Sequence, residues 1–398
     1  MMEKLSNRIL ALAESETLVM AQKAREFKER GVDIISLSLG EPDFKTPKHI
    51  CEAAKQAIDE GKYFTYPPVA GYTDLREAIA EKLRRDNNLD WAYQNIVVST
   101  GAKQSIANVF LSLLNPGDEV IILAPYWVTY SEIVKLAEGV PVFVKGNLNN
   151  NYKATADQIA DAITSKTRMM IFSSPSNPTG SVFTEEELRQ IADVLKDKNI
   201  LVISDEIYEY INFTGKKFSI GSIPEMKEKT ITVNGFSKGF AMTGWRVGYI
   251  AAPLFIAKAC NKMQGQITSA TNSIAQRAAL AALKSDFGPT KEMAAAYLKR
   301  RDLAYDLLNE IPGVKNYKPA GAFYFFPDFS SYFGKSAGDR KISNSGDLVM
   351  YFLEEAHVSS VSGDAFGSPE NIRLSYAASE AEIVEAIRRI KEALAKLS

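Results

Sequence analysis

Between residues 46 and 285 the sequence alternates short apolar, β-branched runs with amphipathic stretches long enough to form helices. This alternation is typical of parallel strands covered by helices on both faces of a sheet. It therefore predicts an α/β protein with a mainly parallel sheet in a large domain. The strand candidates are residues 96–99, 120–123, 169–172, 200–204, 230–233 and 246–251.

The two ends of the chain follow a different pattern. After about residue 285 come a long helical stretch through Leu303 and Leu307, an aromatic strand-like segment at 320–326 and a terminal helix. The first ~45 residues look too short to fold alone, so we expect them to pack with the C-terminal part. The sequence thus predicts a large domain at 46–285 and a smaller α+β domain made of 1–45 and 286–398.

Three threonines are candidate helix starts, because a hydroxyl can cap the free amides of a first turn. Thr46 precedes Pro47, Thr73 precedes Asp74, and Thr184 precedes three glutamates. Proline and acidic residues both favour the first turn of a helix. We therefore predict helices that begin at these three places.

Charge and cysteine content exclude several classes of function. The 398 residues include 47 basic and 48 acidic side chains. The resulting formal net charge of −1 gives no reason to expect binding to nucleic acid or to an anionic membrane. Cys51, Cys260, His49 and His357 are the only cysteines and histidines, too few for a disulfide framework or a Cys/His zinc site. The N-terminus lacks a secretion-type apolar region, which predicts a cytoplasmic protein. These exclusions leave a small polar molecule as the expected ligand, and we expect no bound metal.

Polar residues follow four of the strand candidates, at the sheet edge where open α/β proteins bind ligands. Taken singly, each group is also explained as a turn or a helix cap. Neither a GxxxxGK[ST] loop nor a GxGxxG fingerprint is present, so kinase, P-loop ATPase and nicotinamide-enzyme interpretations lose their main support. The groups are Gly101-Ala102-Lys103, Asn177-Pro178-Thr179-Gly180, Asp205 and Ser237-Lys238.

Taken together, these segments resemble the class I aminotransferases, which have the type I pyridoxal-phosphate transferase fold. The resemblance runs from Leu5 to the C-terminus. It implies a homodimer with shared active sites. It is carried, in chain order, by GEPDF (40–44), SPSNPTG (174–180), SDEIYE (204–209), SKGFAMTGWRVGY (237–249) and NIRLSY (371–376). The bacterial aspartate aminotransferase branch is the most similar, through STGAKQ (99–104), APYWVTY (124–130) and GAFYFF (321–326).

The resemblance implies catalytic and ring-binding roles for five residues. Lys238 would bind pyridoxal 5'-phosphate as a Schiff base and later move the proton from the substrate Cα. Asp205 would keep the ring nitrogen protonated, since a buried carboxylate favours the adjacent cation. Tyr208 and Asn177 would donate hydrogen bonds to the phenolic ring oxygen, and Trp127 would stack on the ring.

The phosphate of the cofactor needs backbone amides at a helix N-terminus and a fixed cation. The resemblance assigns this role to Gly101, Ala102, Ser237 and Arg246. It also implies that Tyr66 reaches the phosphate of the neighbouring subunit.

For the substrate, the resemblance implies that Arg373 binds the α-carboxylate as a bidentate partner, with Asn177 and the amide of Gly40 completing the clamp. Trp127 would flank the bound amino acid. Because Gly40 and Arg373 belong to the terminal segments and Lys238 to the large domain, we expect substrate binding to close one domain onto the other.

A dicarboxylic substrate needs a second cation, for which the resemblance offers Lys103, assisted by the hydroxyls of Ser15 and Thr17. We therefore predict an aspartate aminotransferase that converts L-aspartate and 2-oxoglutarate into oxaloacetate and L-glutamate. An aromatic or prephenate aminotransferase, or a C–S lyase, would use the same cofactor residues. A cofactor-sensing regulator would need a helix-turn-helix extension, for which residues 1–45 leave no room. A non-catalytic α/β protein whose motifs only maintain turns is a further alternative.

Overall fold

A computed structural model describes residues 5–398, so the first four residues of the predicted small domain lie outside the described chain. The helices are α1 (Asn7–Leu10), α2 (Glu16–Glu29), α3 (Lys48–Asp59), α4 (Thr73–Asn87), α5 (Ala102–Leu113), α6 (Thr129–Leu136), α7 (Ala156–Ala162), α8 (Glu185–Leu195), α9 (Pro224–Lys227), α10 (Leu254–Ile267), α11 (Ser273–Leu283), α12 (Gly288–Asn309), α13 (Ser345–Tyr351) and α14 (Glu380–Leu394). The strands are β1 (Ile35–Ser36), β2 (Ile96–Ser99), β3 (Glu119–Ala124), β4 (Val140–Lys145), β5 (Thr167–Ser173), β6 (Leu201–Asp205), β7 (Thr230–Gly235), β8 (Gly248–Ala251), β9 (Tyr324–Phe325), β10 (Ser336–Ala337), β11 (Arg340–Lys341), β12 (Val358–Ser359), β13 (Val361–Ser362) and β14 (Ile372–Ser375).

Within the described residues, seven strands form the central sheet in the order β2-β8-β7-β6-β5-β3-β4. All neighbours are parallel except β8, which runs antiparallel to both β2 and β7. Each of the six strand candidates forms part of this sheet, which confirms the predicted α/β class with a mainly parallel sheet. The sequence analysis missed β4, an edge strand that contains Pro141.

The sheet is buried on both faces because successive side chains of a strand point in opposite directions. In β3, Ile121 belongs to one apolar cluster with Leu188 and Ile191 of α8, whereas Ile122 belongs to another with Phe110 of α5. These side chains are essentially inaccessible to solvent, and each stabilises the fold by about 1.5–3 kcal/mol. This two-sided burial explains why the strands read as continuous apolar runs rather than alternating ones.

The N-terminal and C-terminal segments share one apolar cluster. Strand β1 pairs in parallel with β12, placing Ile35 opposite Val358. Met20 of α2 lies in the same cluster as Tyr297 of α12 and Ile390 of α14, together with side chains of β9 and β14 from the antiparallel sheet β13-β14-β9. Residues from both ends of the chain therefore complete a common core.

Three local predictions are wrong at the residue level. The hydroxyl of Thr73 caps no amide of α4, because the helix begins at Thr73 itself and Tyr72 occupies the N-cap position. Thr46 does not cap α3, because its hydroxyl donates instead to the carbonyl of Ala241 at 2.6 Å. The segment 320–326 forms a strand only at Tyr324–Phe325, since the amide of Gly321 bonds to the carbonyl of Gly180 and leaves the ladder. Thr184 does cap α8, in a capping box with Glu187. No helix within residues 5–398 is both long and apolar enough to cross a membrane.

Candidate active site

A cavity of about 250 Å³ lies where β2, β5, β6 and β7 end, between the central sheet and the terminal segments. Most residues singled out in the sequence line this cavity together, although they come from positions 15 to 373. They are Ser15, Thr17, Gly40, Ala102, Lys103, Trp127, Asn177, Asp205, Tyr208, Ser237, Lys238, Arg246 and Arg373. Gly101 and Tyr66 do not line the cavity: Gly101 directly precedes Ala102, which does, whereas Tyr66 is 92% exposed.

Lys238 lies just after β7, and its ammonium group donates to the carbonyl oxygen of Gly40. Burial lowers the pKa of Lys238 to about 8, despite the opposing effect of the Glu41 carboxylate. The positive charges of Arg373 and Arg246 lower the pKa further. The amine is therefore easier to deprotonate than an ordinary lysine, as a nucleophile that attacks an aldehyde requires.

Asp205 ends β6 and is buried at the floor of the cavity. Its Oδ2 accepts a hydrogen bond of 2.6 Å from the hydroxyl of Tyr130, and its Oδ1 accepts one of 3.2 Å from the amide of Ile207. Burial raises the pKa of Asp205 to about 6, while these two donors and the charge of Lys238 oppose the rise. A buried carboxyl of this kind gains stability from a cationic partner.

The N-terminus of α5 forms a concave surface suited to an anion. Gly101 precedes the helix with φ +83° and no side chain caps the first turn. A Cβ atom at Gly101 would collide with the guanidinium of Arg246, so only glycine allows this close approach. Arg246 donates to the carbonyl of Thr243 at 2.7 Å, which orients it. Uncapped helix amides beside a fixed arginine fit a phosphate group.

Arg373 provides a positive charge on another side of the cavity, and only 1% of the arginine is exposed. It donates to Oδ1 of Asn177 at 3.0 Å and to the carbonyl oxygen of Ser38 at 2.6 Å. Its Nε has no hydrogen-bond partner among the described residues, and no carboxylate there pairs with it. A buried guanidinium held in place with unused donors is suited to bind a carboxylate.

Lys103 extends over the ring of Trp127, with its Nζ 5.0 Å from the ring centroid. Partial burial lowers the pKa of Lys103, and the charge of Arg246 lowers it further. Trp127 lines the cavity just before α6 rather than packing within a helix. Ser15 and Thr17, at the start of α2, line the same cavity.

Tyr130 and Tyr324 are site residues that the sequence analysis missed. The Tyr324 hydroxyl lies 2.7 Å from that of Tyr208. Both tyrosines stand inside segments already singled out, at 124–130 and 321–326. The signal available in the sequence was the hydroxyl group that each tyrosine carries within an otherwise apolar, aromatic segment.

Comparison with known proteins relates the chain to one family. Residues 32–390 match the family described as aminotransferase class I and II. The chain is 45% identical to an aspartate aminotransferase of Bacillus subtilis, covering 99% of this chain and 100% of that protein. It is 44% identical to a probable aspartate/prephenate aminotransferase of Aquifex aeolicus over 100% of both proteins. The solved aspartate aminotransferase of Rhizobium meliloti superposes with a TM-score of 0.96 at 39% identity, covering 100% of both chains.

Proposed function

The chain belongs to the class I and II aminotransferases, and on this premise we propose that it is a pyridoxal-phosphate-dependent aspartate aminotransferase. It would transfer the amino group of L-aspartate to 2-oxoglutarate, giving oxaloacetate and L-glutamate, and would catalyse the reverse reaction. Relatives named as aspartate aminotransferases, 44–45% identical over almost the whole chain, support this proposal.

One observation carries the choice of substrate. Arg373 and Lys103 both line the cavity that contains Lys238, and within residues 5–398 neither cation is paired with a carboxylate. A dicarboxylic amino acid brings one negative charge for each of them. Arg373 with Asn177 would bind the α-carboxylate. Lys103, with the hydroxyls of Ser15 and Thr17, would bind the distal carboxylate.

The residues around the cavity fit pyridoxal phosphate. The amides of Gly101 and Ala102, with Arg246 and Ser237, would hold the phosphate, because Gly101 lets the guanidinium of Arg246 lie directly against the start of α5. Asp205, buried and held by two donors, would stabilise a proton on the ring nitrogen.

Other residues would orient the ring. Tyr208 and Asn177 supply a hydroxyl and a side-chain amide for the phenolic oxygen, and both line the cavity. Trp127 would stack on the ring face.

Bound pyridoxal phosphate supplies an electron sink for the pair released when the substrate Cα–H bond breaks. Lys238 moves that proton, since its lowered pKa allows the amine to accept and return it near neutral pH. Arg373 and the Gly40 amide fix the carboxylate, so that the Cα–H bond points toward Lys238. Closure of residues 1–45 and 286–398 over the domain at 46–285 would exclude water.

A homodimer with shared sites is part of the proposal. Phe64 and Tyr66 are 68% and 92% exposed, and Phe255 and Ile267 of α10 are also exposed. Gln264 of α10 donates to the carbonyl of Val69, so α10 lies against the segment that follows Tyr66, and both present exposed apolar side chains. Such a surface is typical of a subunit interface. It would place Tyr66 near the phosphate of the neighbouring subunit.

The experiment that tests the function follows the first half of the reaction in the protein loaded with pyridoxal phosphate. We expect aspartate to convert the bound cofactor to its amine form in one turnover, with a larger kcat/KM than phenylalanine. Cysteine should be a poor donor. Pyruvate release from cysteine without amino transfer would contradict the proposal and indicate a C–S lyase. A preference for phenylalanine would indicate an aromatic aminotransferase.

Lys103→Ala tests the distal carboxylate site. Losing one charge-assisted hydrogen bond at a partly exposed position should lower kcat/KM for aspartate about tenfold. The value for phenylalanine should stay within about twofold, because its side chain has no charge to bind. Lys135→Ala is the control, since Lys135 pairs with Glu132 of its own helix, α6, and does not line the cavity. Equal losses of kcat/KM for aspartate and phenylalanine would remove the argument for aspartate. The same assay with prephenate tests the substrate named for the Aquifex relative.

A further inference from the structure

Tyr324 is a fully buried side chain that contacts three residues of the proposed site. Its hydroxyl lies 2.7 Å from the hydroxyl of Tyr208. The guanidinium carbon of Arg373 lies 4.6 Å from the centroid of its ring. A Cβ atom on Gly40 would come within 2.5 Å of its hydroxyl oxygen, so the backbone of residue 40 is also in close contact.

The tyrosine also connects different parts of the chain. It belongs to β9, which pairs with β14, the strand that carries Arg373. Tyr208 instead follows β6 of the central sheet. The hydroxyl contact thus joins the residue that would bind the ring oxygen of the cofactor to the strands that hold the substrate arginine.

Hydrogen-bond accounting fixes the direction of this contact. A phenolic hydroxyl has one proton to donate and lone pairs that accept. On the proposed function, Tyr208 donates its proton to the ring oxygen, so it can only accept from Tyr324. Within the described residues, the Tyr324 hydroxyl makes no other hydrogen bond and is free to donate.

We propose that Tyr324 is a positioning residue that donates to the Tyr208 hydroxyl, directs the Tyr208 proton at the cofactor ring oxygen and couples it to Arg373. Consecutive hydrogen bonds polarise one another, so the donation from Tyr324 strengthens the bond from Tyr208. Burial raises the pKa of the Tyr324 hydroxyl, and the nearby positive charge of Arg373 opposes that rise. A substrate carboxylate on Arg373 offsets that charge and weakens the chain.

The test is a spectroscopic pH titration of the protein loaded with pyridoxal phosphate. The visible absorption of the bound cofactor changes as the nitrogen it shares with Lys238 loses its proton. Negative charge on the ring oxygen holds that proton in place, and hydrogen bonds donated to the oxygen disperse the charge, so that stronger donors lower the midpoint of the titration. Tyr324→Phe keeps the ring over Arg373 and removes only the hydroxyl, so we expect the midpoint to rise by about half a pH unit or more.

Two further variants show whether Tyr324 acts through Tyr208. The double variant Tyr208→Phe/Tyr324→Phe should have the same midpoint as Tyr208→Phe alone, because the second hydroxyl then has no acceptor. Tyr376→Phe is the matched control. It removes the hydroxyl of another buried tyrosine of the same core, which donates to the carbonyl of Ala322, and should leave the midpoint unchanged.

An unchanged midpoint in Tyr324→Phe, or additive shifts in the double variant, would overturn the inference. Incorporating 3-fluorotyrosine at position 324 gives a stronger donor and should lower the midpoint; a rise or no change would also overturn it. The 3-fluorotyrosine protein keeps a hydroxyl at position 324, so its midpoint can be measured even if Tyr324→Phe loses the cofactor. A native protein that takes up no pyridoxal phosphate would instead refute the proposed function.

Discussion

The surroundings of Lys238 distinguish it from the other lysines of the chain. It is partly enclosed, its ammonium group bonds to a backbone carbonyl, and Arg373 and Arg246 add positive charge nearby. Its lowered pKa is a consequence of this enclosure. The same shift has a measurable effect on folding, because proton binding differs between the folded and unfolded chains.

For the cofactor-free protein we predict a stability that depends on pH through Lys238. Between pH 8 and 10.5 the unfolded chain holds this proton more tightly than the folded chain, whose pKa is about 8. The contribution of Lys238 to the free energy of unfolding therefore rises with pH in this window, by up to about 3 kcal/mol. Lys238→Met removes the contribution.

The measurement is urea unfolding of both proteins at several pH values in that window. The stability advantage of Lys238→Met should be largest below pH 8 and shrink as the pH approaches 10.5. Because both proteins share every other titrating group, their difference isolates the lysine. A difference that stays constant across the window would contradict the prediction.

Motif spacing could indicate Lys238, Asp205 and Arg373 from the sequence, because each stands at a recognisable position in a segment. It could not indicate Tyr130 or Tyr324. These residues meet Asp205 and Tyr208 across 75 and 116 positions of the chain, so only the folded strands show the contacts. The roles of all these residues stay predictions until the variants are measured.

At the scale of elements, the start of α5 combines a strained backbone with a close contact. Gly101 has φ +83° and lies against the guanidinium of Arg246. Gly117 has a similar positive φ of +86°, but a Cβ atom there would meet nothing within 4 Å. Comparing the two glycines therefore separates the energetic cost of a positive φ from the loss of the contact with Arg246 at the proposed anion site.

We predict that Gly101→Ala and Gly117→Ala both lower the free energy of unfolding, by about 1 kcal/mol for the positive φ alone. Only Gly101→Ala should also weaken the binding of pyridoxal phosphate, by about tenfold or more, because it displaces Arg246. Urea unfolding and a cofactor titration measure the two effects. Equal cofactor affinity in the two variants would contradict the assignment of the phosphate site.

The elements themselves could largely be predicted, since buried parallel strands and capped helices leave strong local patterns. The sequence does not indicate strand β4 because the strand contains Pro141 and because its exposed Val140 and Phe143 lack the continuous burial of the central strands. The position of Thr46 before a proline predicts a helix cap. Its hydroxyl instead donates a hydrogen bond to the carbonyl of Ala241, about two hundred residues away. Tertiary contacts of this kind override local signals.

At the scale of the whole molecule, the proposed dimer shares its sites, and subunit mixing can test this. Lys238→Ala should abolish activity, and Tyr66→Ala should reduce it by weakening the phosphate contact of the other subunit. In a mixed dimer, one site carries both changes and the other carries neither. We therefore predict that dissociating and reassociating the two variants together restores activity.

Reassociation of each variant alone is the control and should restore nothing. Activity of the mixture equal to the average of the two variants would contradict sharing of Tyr66. Light scattering should give the mass of two chains of 43.9 kDa each for a dimer. A monomer that is fully active would remove the basis of this prediction.

The hydrogen bond from Arg373 to the carbonyl of Ser38 spans 335 positions of the chain. During synthesis every strand of the central sheet, and Lys238 with it, leaves the ribosome before Arg373 is made. On the proposed roles, the reactive amine of Lys238 thus exists earlier than the arginine that selects its substrate. A growing chain, or one cut short before β14, carries the lysine without the means to recognise an amino acid, and only the last part to emerge turns a reactive side chain into a selective one.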